Sequence, residues 1–292
     1  MSDARILDRG YRAYTGPRLG VRGAVRSLIV HSIQRALGLK RPVWQKILPA
    51  IAIFIAYVPA IVFVGLSVLL PDTLLREASG VLPTYAQYYG FISAAIVVFT
   101  AFVAPELLCT DRRTGMLGLY LASPLTRDTY LAAKAVATVA RLALVTLGPP
   151  LLMLLGLTIV GSGPDGPIAL LGLLAKMVLG GLAVAVLPAS LSLAVSSITS
   201  RRAAASAAII MILLASRAVS EALGTTASTP LYFCLDLLQL PIELVFRIYG
   251  EFSEIDSART ITTGTLVAAY LVWTFGFGLL TWLRYRRLTV TR

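Results

Sequence analysis

Residues able to do chemistry are scarce in this chain. His31 is the only histidine. A zinc-protease helix needs two histidines on one face, and an intramembrane Ser-His pair needs one within a span. His31 stands before the first apolar run and serves neither purpose. No Gly-x-x-x-x-Gly-Lys segment occurs, and none of the four lysines follows a glycine. A phosphate-cradling loop of that type is therefore absent. What remains is charge set inside apolar sequence: Glu106, Arg141, Lys176, Arg217 and Glu221. Ionisable groups in such positions are costly in hydrocarbon and are paired or functional. Arg217 and Glu221 are four residues apart and can share a helix face. They read as a structural pair or as polar lining of a path. An arginine at a span centre costs about 2.5–3.5 kcal/mol, and Glu221 would offset part of that. Proton-coupled carriers place an acid near the bilayer midplane. Glu106 and Glu221 lie near the ends of their runs and give little support to ion coupling.

The elements that hold these residues are six apolar runs, at 47–70, 88–108, 135–160, 168–197, 203–223 and 262–283. A helix rises about 1.5 Å per residue, so about 20 apolar residues cross a hydrocarbon core about 30 Å thick. All six runs reach that length. Hydrophobic residues make up 57% of the chain and charged residues 14%, well below the roughly 25% charge of soluble domains. The expected fold is an all-α integral membrane protein with six transmembrane helices.

The net charge is +12, and its distribution matters more than its size. With the N-terminus in the cytoplasm, 20 of the 26 Lys and Arg residues fall on the inner side and 3 on the outer. That asymmetry orients a multi-pass protein of the cell membrane with both termini inside. The basic excess then implies anionic lipid contact, not nucleic acid. The first 46 residues hold no apolar core long enough for a signal peptide, so the first span is expected to direct its own insertion. Cys109 and Cys234 fall on opposite faces and are not expected to pair.

Residues 1–46 are expected to form a cytoplasmic basic tail followed by an interfacial helix. In 21–39, Val21, Val25, Leu28, Ile29, Ile33, Ala36 and Leu37 recur at helical spacing, while Arg22, Arg26 and Arg35 lie elsewhere on the wheel. Such a helix lies flat in the inner membrane interface, or else packs on a soluble partner. Residues 47–292 form the six-span domain. Two of its connections are long: an inner one at 109–134 and an outer one at 224–261. The outer one is broken by Pro230 and Pro241. Its apolar stretches are too short to span and predict short re-entrant helices before the last span.

Small residues four apart let helices approach closely. Ala52, Ala56 and Ala60 form such a stripe on the first span, Gly181, Ala185 and Ala189 on the fourth, and Ala204 and Ala208 on the fifth. Packing within one subunit is the common reason, and packing between two subunits is the alternative. Pro105, Pro149-Pro150 and Pro188 are expected to kink or interrupt their helices.

The segment from Pro105 to Lys134 carries a further pattern. Glu106 ends the second span, and Asp111-Arg112-Arg113 makes a charged turn. Thr114-Gly115, the apolar stretch Met116–Ala122, Ser123-Pro124 and Arg127 follow, and Lys134 opens the third span. This resembles the signature of type-2 permease subunits of ATP-binding-cassette exporters. The family continues its Thr-Gly with Thr-Leu-Glu, whereas here Met116-Leu117-Gly118 follows. The tail at Arg9–Arg18 looks like that of actinobacterial permeases of this family. The resemblance implies a bacterial permease that moves an amphipathic or lipid-like substrate and pairs with a second permease copy or homologue. A dimer of cytoplasmic ATPase subunits would bind the ATP and Mg, with no cofactor on this chain. In such a protein the first and fifth spans line the substrate path, which favours an inter-subunit role for their alanines.

A permease without its own nucleotide site needs a rigid cytoplasmic element to receive force. Gly115 and Pro124 are expected to bracket a short helix whose face, including Leu117 and Tyr120, docks on the ATPase. Arg112, Arg113 and Arg127 read as part of that coupling surface or as plain positive-inside anchors. Two rival readings stand beside the transporter. One is a membrane scaffold or sensor that partners an ATPase without transport. The other is a lipid-modifying enzyme, for which no His, Asp or Cys cluster at one depth is visible.

Overall fold

The computed structural model describes Gly16 and residues 19–36, 46–69, 83–226 and 229–287. Most of the basic tail, the loop after the first span and the last five residues lie outside the described residues, as does the Arg9–Arg18 likeness apart from Gly16. The described residues contain no strand. Six helices are long and apolar enough to cross a membrane, so the chain is an all-α, multi-pass membrane protein.

The expected interfacial helix is α1 (Gly20–Ala36). The first span is α2 (Ile47–Leu69), which tolerates Pro59 within it. A short helix, α3 (Tyr88–Phe91), leads into the second span. That span is built from two pieces, α4 (Ser93–Phe102) and α5 (Glu106–Arg113). Pro105, which has no N–H, sits at the break between them. The turn helix α6 (Met116–Ala122) follows. The third span is also double, α7 (Arg127–Thr146) and α8 (Gly148–Ile159), with Pro149 and Pro150 in the first turn of the second piece. The fourth is α9 (Gly166–Ile198), whose 33 residues carry Pro188 without a break in the helix. The fifth is α10 (Arg202–Gly224).

The outer segment at 224–261 folds into a 3-10 turn (Pro230–Leu235), α11 (Gln239–Tyr249) and α12 (Asp256–Thr260). The last span is α13 (Thr263–Arg287). Short helices do precede the last span, and α11 packs against both α9 and α13. Its buried Glu243 accepts from Arg247 at 3.0 Å, and Arg247 also donates to the carbonyls of Ala258 and Ile261. The Asp236 carboxylate accepts the backbone N–H groups of Leu238 and Gln239, each at 3.0 Å. Burial nevertheless pushes its pKa up.

Helix α9 is the central post, in contact with α7, α10, α11 and α13. The small-residue stripes show what it and α2 accommodate. Ala185 and Ala189 of α9 are buried, and Gly181 lies against Leu147 and Thr146. The Thr146 hydroxyl donates to the Gly181 carbonyl at 2.8 Å. Ala52, Ala56 and Ala60 are fully buried in the chain's own core with Tyr88, Phe99 and Val145. The inter-subunit expectation for the first-span stripe is therefore corrected. Short side chains are needed there because α4 and α8 press on that face, and the Tyr88 hydroxyl reaches the Ala56 carbonyl at 2.6 Å. The outward face of α2 is instead bulky, with Phe54 and Ile61 exposed. On α10, Ala204 is exposed and Ala208 half-buried.

Candidate functional site

The inner connection is shorter than its sequence suggests. The second span continues to Arg113 and the third begins at Arg127, leaving residues 114–126 as the link. Asp111, Arg112 and Arg113 thus sit on a span, not in a loop. Gly115 adopts φ +68°, a left-handed conformation that suits glycine, and reverses the chain into α6. Ser123 is extended and ends that helix before Pro124. Thr126 then caps α7. Its hydroxyl accepts from the Thr129 N–H at 3.2 Å, and the Thr129 hydroxyl accepts in return from the Thr126 N–H at 2.8 Å. The expected helix between Gly115 and Pro124 is present.

Its orientation differs from the expectation. Leu117 and Tyr120 face inward and pack on a cluster of Leu28, Leu108, Leu125, Tyr130, Leu193 and Tyr285. The Tyr120 and Tyr130 rings lie 5.7 Å apart, and the Tyr130 and Tyr285 rings 6.1 Å apart. Burial, reinforced by nearby Asp111, pushes the Tyr120 phenol up, against a smaller opposite effect of Arg35. The outward surface consists of Leu119, 65% exposed, and the turns at Thr114-Gly115 and Ser123-Pro124.

Beneath this helix lies a buried ionic node. Asp111 is 1% exposed. Its carboxylate meets Lys134 Nζ at 2.6 Å and Arg35 Nη1 at 3.2 Å, and it accepts the Tyr130 hydroxyl at 3.0 Å. Lys134 also donates to Ser32 Oγ at 3.2 Å and lies 5.5 and 5.4 Å from the ring centres of Tyr120 and Tyr130. A buried carboxylate is tolerable only when paired and hydrogen-bonded. This one satisfies that condition by tying α1, α5 and α7 together.

The arginines divide by role. Arg112 donates to the carbonyls of Ser196 and Ser197 at the end of α9. Arg127 donates to those of Tyr285 and Arg286 at the end of α13, at 3.3 and 2.8 Å. Helix C-terminal carbonyls lack intrahelical partners and favour cations. Both residues are internal clamps. Arg113 is exposed.

A second charged group surrounds the Pro105 break. The Val103 carbonyl accepts from Arg141 Nη1 at 3.4 Å, and the Phe102 carbonyl accepts from Arg202 Nη2 at 2.7 Å. Arg202 is 3.5 Å from the Glu106 carboxylate. Arg141 is 1% exposed. The charges flagged within the spans therefore do not converge. Glu106 and Arg141 brace the break. Lys176 is exposed and reaches the Tyr249 carbonyl at 3.4 Å. Arg217 and Glu221 pair at 2.9 Å on the outer surface of α10, 44% and 65% exposed.

Sequence reasoning missed Arg35, Ser32, Tyr130, Tyr285, Leu119 and Arg202. Ser32 is a polar residue set within the apolar stripe of α1, one turn after Leu28, and Arg35 borders that stripe, which was the available signal. Tyr285 had none, because it arrives from the far end of the chain. The described residues hold no group of three or more metal-ligating side chains. Searches against family models and curated proteins returned no match.

Proposed function

We propose that this chain is the six-span permease subunit of an exporter driven by a separate cytoplasmic ATPase. The observation that carries the reading is α6. It is a short helix at the basic end of the bundle, linking the second and third spans, with an apolar outward side chain at Leu119. The residues beneath it bind it to everything that would have to move. Leu117 and Tyr120 pack on α1, α7 and α13 residues, and Asp111 ties α5 to α1 and α7. Force applied at Leu119 would pass to the second and third spans and to α1 as one rigid body. ATP and Mg would be bound by the partner. Closure of the ATPase dimer would switch the permease pair from inward to outward access. The Arg217–Glu221 pair supports a paired permease. A charged pair exposed on a span is costly against lipid, and a second subunit or a water-filled path beside α10 would relieve that cost. The substrate of this reading is amphipathic or lipid-like.

The test uses Leu119→Asp, which changes an exposed position and leaves the internal cluster intact. The expected result is that the variant inserts and melts as wild type does, yet loses co-purification with the ATPase subunit that wild type retains and its stimulation of ATP hydrolysis. Unchanged binding and stimulation would overturn the coupling assignment.

A further inference from the structure

A groove of about 720 Å³ opens at the basic end between the start of α2, the end of α4 and the start of α10. That volume lies within the range of small-molecule sites, roughly 300–1,000 Å³. Its lining is divided by chemistry. Arg113, Arg201 and Arg202 stand on one side, and Leu48, Phe102 and Ile210 provide an apolar wall, with the small Ala203 and Ala207 between them. Arg202 is engaged by Glu106 and by the Phe102 carbonyl. Arg113 and Arg201 are exposed, and no described residue pairs with either side chain. Among the described residues, Glu106 pairs with Arg202 alone of the three groove arginines, and Arg113 and Arg201 remain directed at the opening. The contrast with Arg112 is informative. That neighbour turns inward to cap α9, whereas Arg113 turns outward into the groove.

The apolar wall continues along the outward faces of both helices. Ile51 and Phe54 follow Leu48 on α2, and Met211 and Leu214 follow Ile210 on α10, all exposed. An occupant of this groove must therefore be anionic at one end and hydrocarbon at the other. Guanidinium groups bind phosphate and carboxylate oxygens through charge-assisted forked hydrogen bonds, and acyl chains match the wall. We infer that this groove binds an anionic acyl amphiphile of the bilayer, its headgroup on Arg113 and Arg201 and its chain along Leu48, Phe102 and Ile210. The inference concerns the permease alone and holds whether or not an ATPase couples to α6.

The experiment uses the purified full chain in neutral detergent with a fluorescent phosphatidylglycerol, read by anisotropy. Fluorescent phosphatidylcholine and free glycerol phosphate are the comparison probes. Wild type is expected to bind phosphatidylglycerol at least tenfold more tightly than either. Arg113→Gln with Arg201→Gln should weaken binding about tenfold or more, a loss of about 1.4 kcal/mol or more. Because neither side chain has a described partner, the variant's melting temperature should not move. Ala207→Trp, which fills the apolar side from an exposed position, should weaken phosphatidylglycerol binding with both arginines in place. Arg284→Gln with Arg287→Gln removes the same charge elsewhere on this end and should leave binding within twofold. Equal losses in the two double variants would mean diffuse surface attraction and would overturn the site. Glycerol phosphate or a soluble acidic peptide binding as tightly as the lipid, or no effect of Ala207→Trp, would overturn the amphiphile assignment.

Discussion

Replacing Asp111 by Asn should detach α1 from the bundle. The carboxylate holds Lys134 at 2.6 Å and Arg35 at 3.2 Å and accepts the Tyr130 hydroxyl. Lys134 is buried on the far side of the pair, with its side chain 3% exposed. Removing one partner of a buried pair costs about 3–5 kcal/mol, because the other charge stays buried without compensation. Arg35, 31% exposed, adds at most about 1 kcal/mol. Asp111→Asn should therefore destabilise by about 3–5 kcal/mol, a large share of the roughly 5–15 kcal/mol that a folded domain has. Lys134→Met should cost less, since Arg35 and Tyr130 still serve the carboxylate. The combination Asp111→Leu with Lys134→Met removes both charges and should recover most of the loss, leaving a non-additive cycle. Denaturant titration in detergent gives the free energies, and trypsin cleavage at Arg22 and Arg26 reports release of α1. An Asp111→Asn variant within about 1 kcal/mol of wild type, or strictly additive single changes, would refute the node as the clasp.

Four further outcomes are expected. Ala56→Phe should destabilise the single chain by about 1–3 kcal/mol or more through overpacking, read by the same titration, because Ala56 is fully enclosed by its own subunit. Gly181→Ala should do likewise, since a Cβ there would overlap the Leu147 side chain and press on the Thr146 carbonyl. Cys234 should label slowly with maleimide at neutral pH, since burial pushes its thiol up and depletes the thiolate. A cysteine at exposed Glu254 should label from outside intact cells and one at Leu119 only after permeabilisation; the reverse pattern would invert the topology.

The amino-acid sequence by itself determined the class of this protein. Span length and charge depend on counting residues along the chain, so the six runs return as six long helices. The two-turn helix between Gly115 and Pro124 was legible for a similar reason, because glycine and proline punctuate locally. The proline breaks at Pro105 and Pro149 were legible too, although Pro188 sits in an unbroken helix. Tertiary structure alone decided which face each element presents. The alanines of α2 carry no label distinguishing a neighbour in the same chain from one in another subunit, and only the placement of Tyr88 and Phe99 shows that the chain fills that face itself. Leu117, Leu119 and Tyr120 look alike as apolar residues of one short helix. Which of them turns outward depends on the rings of Tyr130 and Tyr285, set far along the sequence. The Asp111 clasp likewise joins residues separated by 76 positions. A buried charge is stable only where partners converge on it in space, and that convergence is a property of packed helices, not of spacing along one of them.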